Sequence, residues 1–130
     1  MRKLRAIISK GTEEYGAWFE NFPGAYGAGE NVAEVKKSLT EGLKLYVKHN
    51  DVPDWLKNKD YVIIYKYDSQ SFLNYFKGIF TNAALERISG INQRQINHYA
   101  TGRKKPRPEQ LKKLEQGIHK LAGELLAVEL

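Results

Sequence analysis

The segment from Thr81 to Pro108 constrains this chain most, because apolar residues recur at helical spacing on both sides of one glycine. A first helix is predicted where these residues lie three or four positions apart, at Ala84, Leu85 and Ile88. Gly90 predicts the turn after this helix, since glycine adopts a positive φ without steric cost. Ile91 is predicted to anchor that turn in the core.

A second helix is predicted after the turn. Asn92 is a good N-cap, and Ile96 and Tyr99 continue an inward apolar face. The segment therefore predicts a helix-turn-helix whose outer face carries side chains able to read base edges in the major groove. The candidate base-reading residues are Gln93, Arg94, Gln95, Asn97 and His98. The alternative interpretation is an exposed helix face that is merely solvated.

Positive charge is concentrated in the same region. Residues 71–108 hold seven basic residues and one acidic residue, a balance of +6 that equals the net charge of the whole chain. Such local charge neutralises backbone phosphates and supplies sequence-independent affinity, which together with the helix-turn-helix predicts double-stranded DNA as a partner. Gly102 is a predicted helix C-cap, and Pro106 ends the basic loop that follows it. The candidate phosphate contacts are Asn92, Thr101, Arg103, Lys104 and Lys105. A run of three cations is also common on solvated surfaces.

This segment resembles the lambda-repressor-like (XRE-type) helix-turn-helix domains. The resemblance rests on the Gly90–Ile91 turn, the buried Ile96, and the glycine and basic-proline tail from Gly102 to Pro106. One position departs from the family pattern. The family usually has a small residue four positions before the turn glycine, where this chain has Glu86.

Composition divides the chain into two predicted domains, residues 1–68 and 69–130. Each half has a small core, which favours a partner or self-association. The chain has no cysteine, which permits a reducing compartment, and no apolar run approaches the roughly 20 residues of a membrane span. The N-terminal apolar stretch is also too short for a signal peptide. We therefore expect a soluble cytoplasmic protein that has no contact with a membrane.

The N-terminal half predicts a small sheet with one helix. Alternating apolar residues predict strands at residues 4–8, 15–19 and 25–28. Asn31 and Glu34 form a predicted capping box at the start of an amphipathic helix, and residues 61–67, YVIIYKY, are strongly strand-like. The predicted order is β-β-β-α-β. With the helical C-terminal half, the predicted fold class is α+β.

This half resembles the HicB antitoxin family. The resemblance rests on the aromatic strand Tyr15–Phe19, the turn Phe22–Gly24, and the helix start Gly29–Asn31. In the family a cysteine often follows the turn, where this chain has Ala25, and threonine usually occupies the position of Asn31. Both substitutions keep the physical role of the residue, a small turn residue and an N-cap.

The resemblance implies a type II antitoxin. It implies a partial RNase H-like N-terminal domain that binds and neutralises a HicA-type mRNA interferase, and an all-α C-terminal helix-turn-helix domain that represses its own operon. Catalysis is not expected, because the first 50 residues lack Asp and their glutamates cluster at turns and a helix start. No cofactor or metal is expected either, since His49, His98 and His119 lack metal-ligand spacing.

Two further surfaces are predicted. Trp and Tyr are favoured interface anchors, so the candidate toxin-binding residues are Trp18, Tyr26, Trp55, Tyr65 and Tyr67, although several could be core. A heptad-like spacing near the C-terminus predicts a dimer seam at Leu114, Ile118, Leu121, Leu125 and Val128. The alternative is that two last helices, divided at Gly117, pack on their own core. A homodimer or higher homo-oligomer is expected, since two recognition helices would read a palindromic operator.

Two other functions remain open from the sequence. A stand-alone transcriptional repressor would sense a small ligand through its N-terminal half and would have a pocket lined by tyrosines. An RNA-binding protein or nuclease would use the sheet, and its activity would depend on the acidic residues of the first half.

Overall fold

The computed structural model describes residues 1–130, which divide into two compact units, Met1–Asp68 and Ser69–Leu130. The first unit combines a four-stranded sheet with two helices, whereas the second unit is built from helices alone. The chain therefore has the predicted α+β class. None of its helices combines the length and apolar character that crossing a membrane requires.

The sheet of the first unit has the strand order β3-β2-β1-β4. Its strands are β1 (Arg2–Lys10), β2 (Tyr15–Phe19), β3 (Tyr26–Gly29) and β4 (Tyr61–Tyr67). β1 is antiparallel to β2 and parallel to β4, and β2 is antiparallel to β3. The sheet is therefore mixed, with β3 and β4 at its two edges.

One face of this sheet packs on a helix. In β1, Leu4, Ala6 and Ile8 alternate with more exposed residues and are fully buried. Helix α1 (Val32–His49) covers this face. The apolar stripe predicted for the helix supplies its buried residues, Val32, Val35, Leu39 and Leu43. Every second residue of the strand and every third or fourth residue of the helix are thus buried, and together they form one core.

Helix α1 starts at the predicted cap. The Asn31 side chain accepts a hydrogen bond from the Glu34 backbone N–H at 2.9 Å. The Glu34 carboxylate accepts from the backbone N–H of Glu30, also at 2.9 Å. In a capping box this return bond goes to the N-cap residue itself, so the predicted box is shifted by one residue.

A short helix, α2 (Asp54–Lys57), follows Pro53, in a segment for which the sequence predicted no helix or strand. Four residues form a single turn, which local propensity does not stabilise. Leu56 and the preceding Val52 are buried in the core of the first unit. Tertiary burial therefore stabilises this turn.

The second unit contains four helices and one 3₁₀ turn. These are α3 (Ser69–Tyr75), the 3₁₀ turn (Phe76–Gly78), α4 (Asn82–Ser89), α5 (Gln93–Ala100) and α6 (Pro108–Leu126). Its buried apolar core combines residues from α3 to α6 and the turn between α4 and α5. The core residues are Leu73, Leu85, Ile91, Ile96, Tyr99 and Leu114.

Helix α6 is continuous, so Gly117 does not divide two helices. Gly117 is buried, and a Cβ atom built there would collide with the carbonyl oxygen of Ile88 in α4. Glycine is present because α4 and α6 approach each other closely at this point.

Candidate nucleic-acid interface

The predicted turn between two helices is present in the second unit. Helix α4 begins at Thr81, whose side chain accepts a hydrogen bond from the Ala84 N–H at 3.0 Å. It ends at Gly90, which has φ +77° and donates its N–H to the Glu86 carbonyl at 2.8 Å. This left-handed conformation explains why glycine occupies the turn. Ile91 then enters the core, as predicted.

Helix α5 has the predicted inward face. Asn92 caps the helix by accepting the Arg94 N–H at 2.8 Å. Ile96 and Tyr99 are buried, and α5 packs against α3 and α4. This packing fixes which side of the helix faces outward.

Three of the five candidate base-reading residues are exposed on α5, namely Gln93, Arg94 and Asn97. The other two are half-buried. Gln95 donates its amide Nε2–H to the Tyr99 hydroxyl at 3.0 Å, so part of its hydrogen-bonding capacity is used within the helix. Fewer side chains on the outer face of α5 are therefore available for contacts than the sequence predicted.

His98 is the fifth candidate, and its surroundings are strongly positive. Its ring Nδ1 atom is buried and has no hydrogen-bond partner. Burial lowers the pKa of His98 below the ordinary value of 6.5, and the nearby charges of Arg103, Lys104 and Arg94 lower this pKa further. The imidazole is therefore neutral at pH 7.

The loop after α5 is held to the helix end. Gly102 has φ +79°, and the Lys104 N–H donates to the His98 carbonyl at 3.2 Å. The Thr101 hydroxyl donates to the Asn97 carbonyl at 3.0 Å and also contacts the His98 carbonyl at 3.3 Å. The loop thus satisfies carbonyls that the helix end leaves open.

Among the candidate phosphate contacts, the side chains of Arg103, Lys104 and Lys105 are exposed. Asn92 uses its side-chain oxygen as the α5 cap, which leaves its amide NH₂ as a possible donor. Thr101 donates its hydroxyl proton to the Asn97 carbonyl, so this proton is not available to a phosphate. Residues 103–105 therefore form an exposed run of positive charge directly after α5.

Glu86 is the one departure from the lambda-repressor-like pattern, and the structure gives it no compensating partner. Glu86 is half-buried in α4, and its Oε2 atom is buried without a hydrogen bond. A buried acceptor without a partner costs free energy. The unpaired carboxylate oxygen of Glu86 therefore lowers the stability of this unit.

The chain matches no known protein family, no curated protein and no solved structure. A functional assignment therefore rests on the sequence motifs and on the geometry and chemistry of the structure.

The aromatic candidates for toxin binding lie at three places in the first unit. Trp18 and Tyr26 are register partners in β2 and β3, with 40% and 65% of their surface exposed on the sheet face opposite α1. Tyr65 and Tyr67 lie on the helix side of β4, where the Lys36 ammonium lies 4.3 Å and 5.5 Å from their ring centroids. The structure thus joins only Trp18 and Tyr26 into an open aromatic pair.

Trp55 lies apart from both pairs, at a shallow cavity of about 460 Å³. The Arg2 guanidinium carbon lies 4.8 Å above the Trp55 ring. Phe22 and Tyr46, whose ring centroids are 5.0 Å apart, line the same cavity. The sequence interpretation missed the contributions of Arg2 and Lys36, because no spacing rule relates them to these distant aromatic residues.

The predicted C-terminal seam is divided between two environments. Leu114 and Ile118 belong to the core of the second unit, and Leu121 is half-buried. Leu125 is 62% exposed, and Val128 lies beyond the end of α6. Only the last part of the seam is therefore available to a partner.

Proposed function

We propose that this protein is an antitoxin of a type II toxin-antitoxin system that binds operator DNA and represses its own operon. The observation that carries the DNA-binding part is the juxtaposition at the end of α5. The exposed Gln93, Arg94 and Asn97 side chains of one short helix are followed directly by the exposed cations of residues 103–105. In this proposal, α4, the turn and α5 form a helix-turn-helix of the lambda-repressor-like (XRE) type.

The two groups of side chains have different roles in this proposal. Arg94 and Asn97 donate to base edges in the major groove, where Arg pairs bidentately with guanine and Asn with adenine. Arg103, Lys104 and Lys105 neutralise phosphates and release counterions. Base contacts give the preference for an operator, and phosphate contacts give affinity for any duplex.

The proposed toxin partner is a HicA-type mRNA interferase bound by the first unit. Support comes from the HicB-like motifs and from the β-β-β-α order followed by β4, which fits a partial RNase H-like domain. The exposed pair Trp18 and Tyr26 provides the aromatic anchors that protein interfaces favour. The proposal assigns no catalytic residue to this unit.

The DNA-binding part is tested by comparing Arg94→Ala with Lys104→Ala on operator and random duplexes at several salt concentrations. Arg94→Ala should weaken operator binding by about 1–3 kcal/mol and reduce the preference for the operator. Lys104→Ala should weaken binding to both duplexes and reduce the salt slope by about 1. Lys112→Ala, an exposed cation in α6, is the matched control. Equal loss of preference from both variants would contradict the assigned roles.

The antitoxin part is tested by co-expressing the chain with a HicA-type mRNA interferase, which the proposal expects to be encoded beside this chain. A stable complex that relieves growth arrest supports the proposal, and Arg94→Ala should leave this rescue intact. Trp18→Ala and Tyr26→Ala should reduce complex formation. Failure of the wild-type chain to bind and rescue would refute the antitoxin assignment, even if the chain binds DNA.

A second candidate function is a stand-alone repressor that senses a small ligand. The cavity lined by Phe22, Tyr46 and Trp55 has a volume in the range of small-molecule sites, which favours this function. The lining predicted for it consisted of tyrosines, whereas Tyr46 is the single tyrosine at this cavity. Arg2 at the cavity would favour an anionic aromatic compound. Loss of operator binding on addition of such a compound, abolished by Trp55→Ala, would support this function over the antitoxin.

A further inference from the structure

Helix α3 lies outside the helix-turn-helix, but the side chain of Asn74 joins it to the end of α5. The amide Nδ2 of Asn74 donates to the carbonyl of Ala100, the last residue of α5, at 2.9 Å. The same nitrogen donates to the Gln70 carbonyl within α3, also at 2.9 Å. An asparagine amide has two donor hydrogens, so the two bonds use both of them. The bond within α3 therefore fixes the direction in which Asn74 donates to α5.

The bond from Asn74 completes the hydrogen bonding of the end of α5. The last four carbonyls of a helix have no partner within the helix. In α5 these are the carbonyls of residues 97–100, and each of them accepts a hydrogen bond. The first three accept from the backbone N–H groups of Thr101, Lys104 and Gly102, at 3.0, 3.2 and 3.3 Å respectively. The loop thus supplies three donors, and the fourth comes from α3.

A second residue of α3 borders the same loop. Gly102 has φ +79° at the point where the chain turns away from α5. A Cβ atom built on Gly102 would lie 3.0 Å from both Nε2 and Oε1 of Gln70. Gln70 and Asn74 are four residues apart and therefore neighbours on one face of α3. This face borders both the last residue of α5 and the start of the loop.

We infer that Asn74 is a positioning residue for DNA binding, which holds the end of α5 and thereby the path of the loop that carries residues 103–105. Asn74 does not touch DNA in this role. The three exposed cations follow the turn at Gly102, so a change in direction at Ala100 would displace all of them together. This role rests on the proposed DNA-binding function and extends it to a residue outside the helix-turn-helix.

Hydrogen exchange of backbone amides in the full chain tests this role without DNA. In Asn74→Ala the Lys104 amide should exchange about two- to tenfold faster, which is the factor expected for the loss of one hydrogen bond. The Gly90 amide closes α4 by a similar bond and should be unaffected. Gln116→Ala removes an exposed amide side chain from α6 and is the control variant. Unchanged exchange at Lys104, or equal acceleration at Gly90, would overturn the inference.

Asn74→Leu separates the hydrogen bond from the packing of the side chain. Leucine has the same branched shape as asparagine but has no donor. Asn74→Leu should therefore accelerate exchange at Lys104 as Asn74→Ala does. Wild-type exchange in Asn74→Leu would mean that packing alone holds the loop, and the assigned hydrogen-bonding role would be wrong.

Affinity for a random DNA duplex at low salt tests whether Asn74 acts through the cations. Asn74→Ala should weaken binding about two- to tenfold in the otherwise unchanged chain. Its effect should fall below about twofold in a chain that already carries Arg103→Ala, Lys104→Ala and Lys105→Ala, because the two sets of changes are coupled. An equal loss in both backgrounds would mean that Asn74 does not act through the loop.

The same measurement distinguishes failure of this role from failure of the proposed function. A wild-type chain that binds no duplex would refute the proposed DNA binding. Wild-type binding that Asn74→Ala leaves unchanged would refute only the role of Asn74.

Discussion

Glu86 and His98 have the two buried polar atoms that the structure leaves without a hydrogen bond. Both residues lie in the region formed by α4, the turn and α5. Neither the apolar spacing nor helix propensity requires a glutamate or a histidine at these two positions. Proteins tolerate such groups where another role offsets their cost. The proposed DNA site therefore contains the two side chains whose buried polar atoms lack a hydrogen bond.

Replacement of Glu86 by alanine should stabilise the protein. Glu86→Ala removes a buried acceptor and introduces the best helix former into α4, so the free energy of unfolding should rise by about 1–2 kcal/mol. Urea denaturation followed by circular dichroism measures this change. Glu115→Ala, which removes an exposed carboxylate from α6, should change stability by less than about 0.5 kcal/mol. A destabilised Glu86→Ala would show that the carboxylate has a partner in solution.

The lowered pKa of His98 should make stability depend on pH. Because the folded-state pKa lies below 6.5, the unfolded state binds more protons as the pH falls through this region. The free energy of unfolding should therefore decrease between about pH 7.5 and pH 5.5, and His98→Gln should show a smaller decrease. Denaturant titrations at both pH values measure the difference. Identical pH dependence in the two proteins would exclude a shifted His98.

Elements with a strong periodic pattern were predictable from the sequence. All four strands, α1 with its Asn31 cap, and the two helices around Gly90 lie where the apolar spacing places them. Helix α2 was not predicted, because it depends on burial of Leu56 rather than on propensity. Helix α3 was not predicted either, although Phe72, Phe76 and Phe80 at intervals of four residues were an available signal.

The candidate site was predictable at the level of elements but not of individual side chains. The pattern identified the outer face of α5 and the basic loop. It could not show that Gln95 bonds Tyr99 or that the ring nitrogen of His98 is buried, since these features depend on rotamers and tertiary packing. The two-helix alternative at Gly117 was wrong for the same reason, because a glycine in a helix can mark a close contact as well as a break.

The contact between α4 and α6 gives a prediction with an internal control. Gly117→Ala would force a Cβ atom against the Ile88 carbonyl, and should destabilise the protein by about 1–3 kcal/mol. Gly123→Ala lies in the same helix with no atom within 4 Å of the added Cβ, and should stabilise it by about 0.4–1 kcal/mol. Thermal or urea unfolding measures both. Stabilisation by both alanines would mean that α4 and α6 do not approach closely.

The chain as a whole consists of two units with separate hydrophobic cores. Both tryptophans, Trp18 and Trp55, belong to the first unit, while most helical residues belong to the second. Tryptophan fluorescence therefore reports the first unit, and circular dichroism at helical wavelengths reports mainly the second. The two probes together measure whether the units unfold in one step.

We expect two separable transitions. Gly117→Ala should lower the denaturation midpoint seen by circular dichroism and leave the tryptophan midpoint unchanged, because its collision lies within the second unit. A matched change in the first unit is Leu39→Ala, which should shift the tryptophan midpoint instead. Parallel shifts of both probes in both variants would show that the units unfold cooperatively.

The hydrogen bonds that join the loop to the end of α5 have a thermodynamic consequence. Thr101 and Lys104 both bond the helix end, so residues 103–105 extend from a backbone that is already ordered. A preordered loop loses little conformational entropy on contact with a polyanion. In the proposed function, the heat-capacity change of DNA binding should therefore match the apolar area buried, without the excess that accompanies coupled folding.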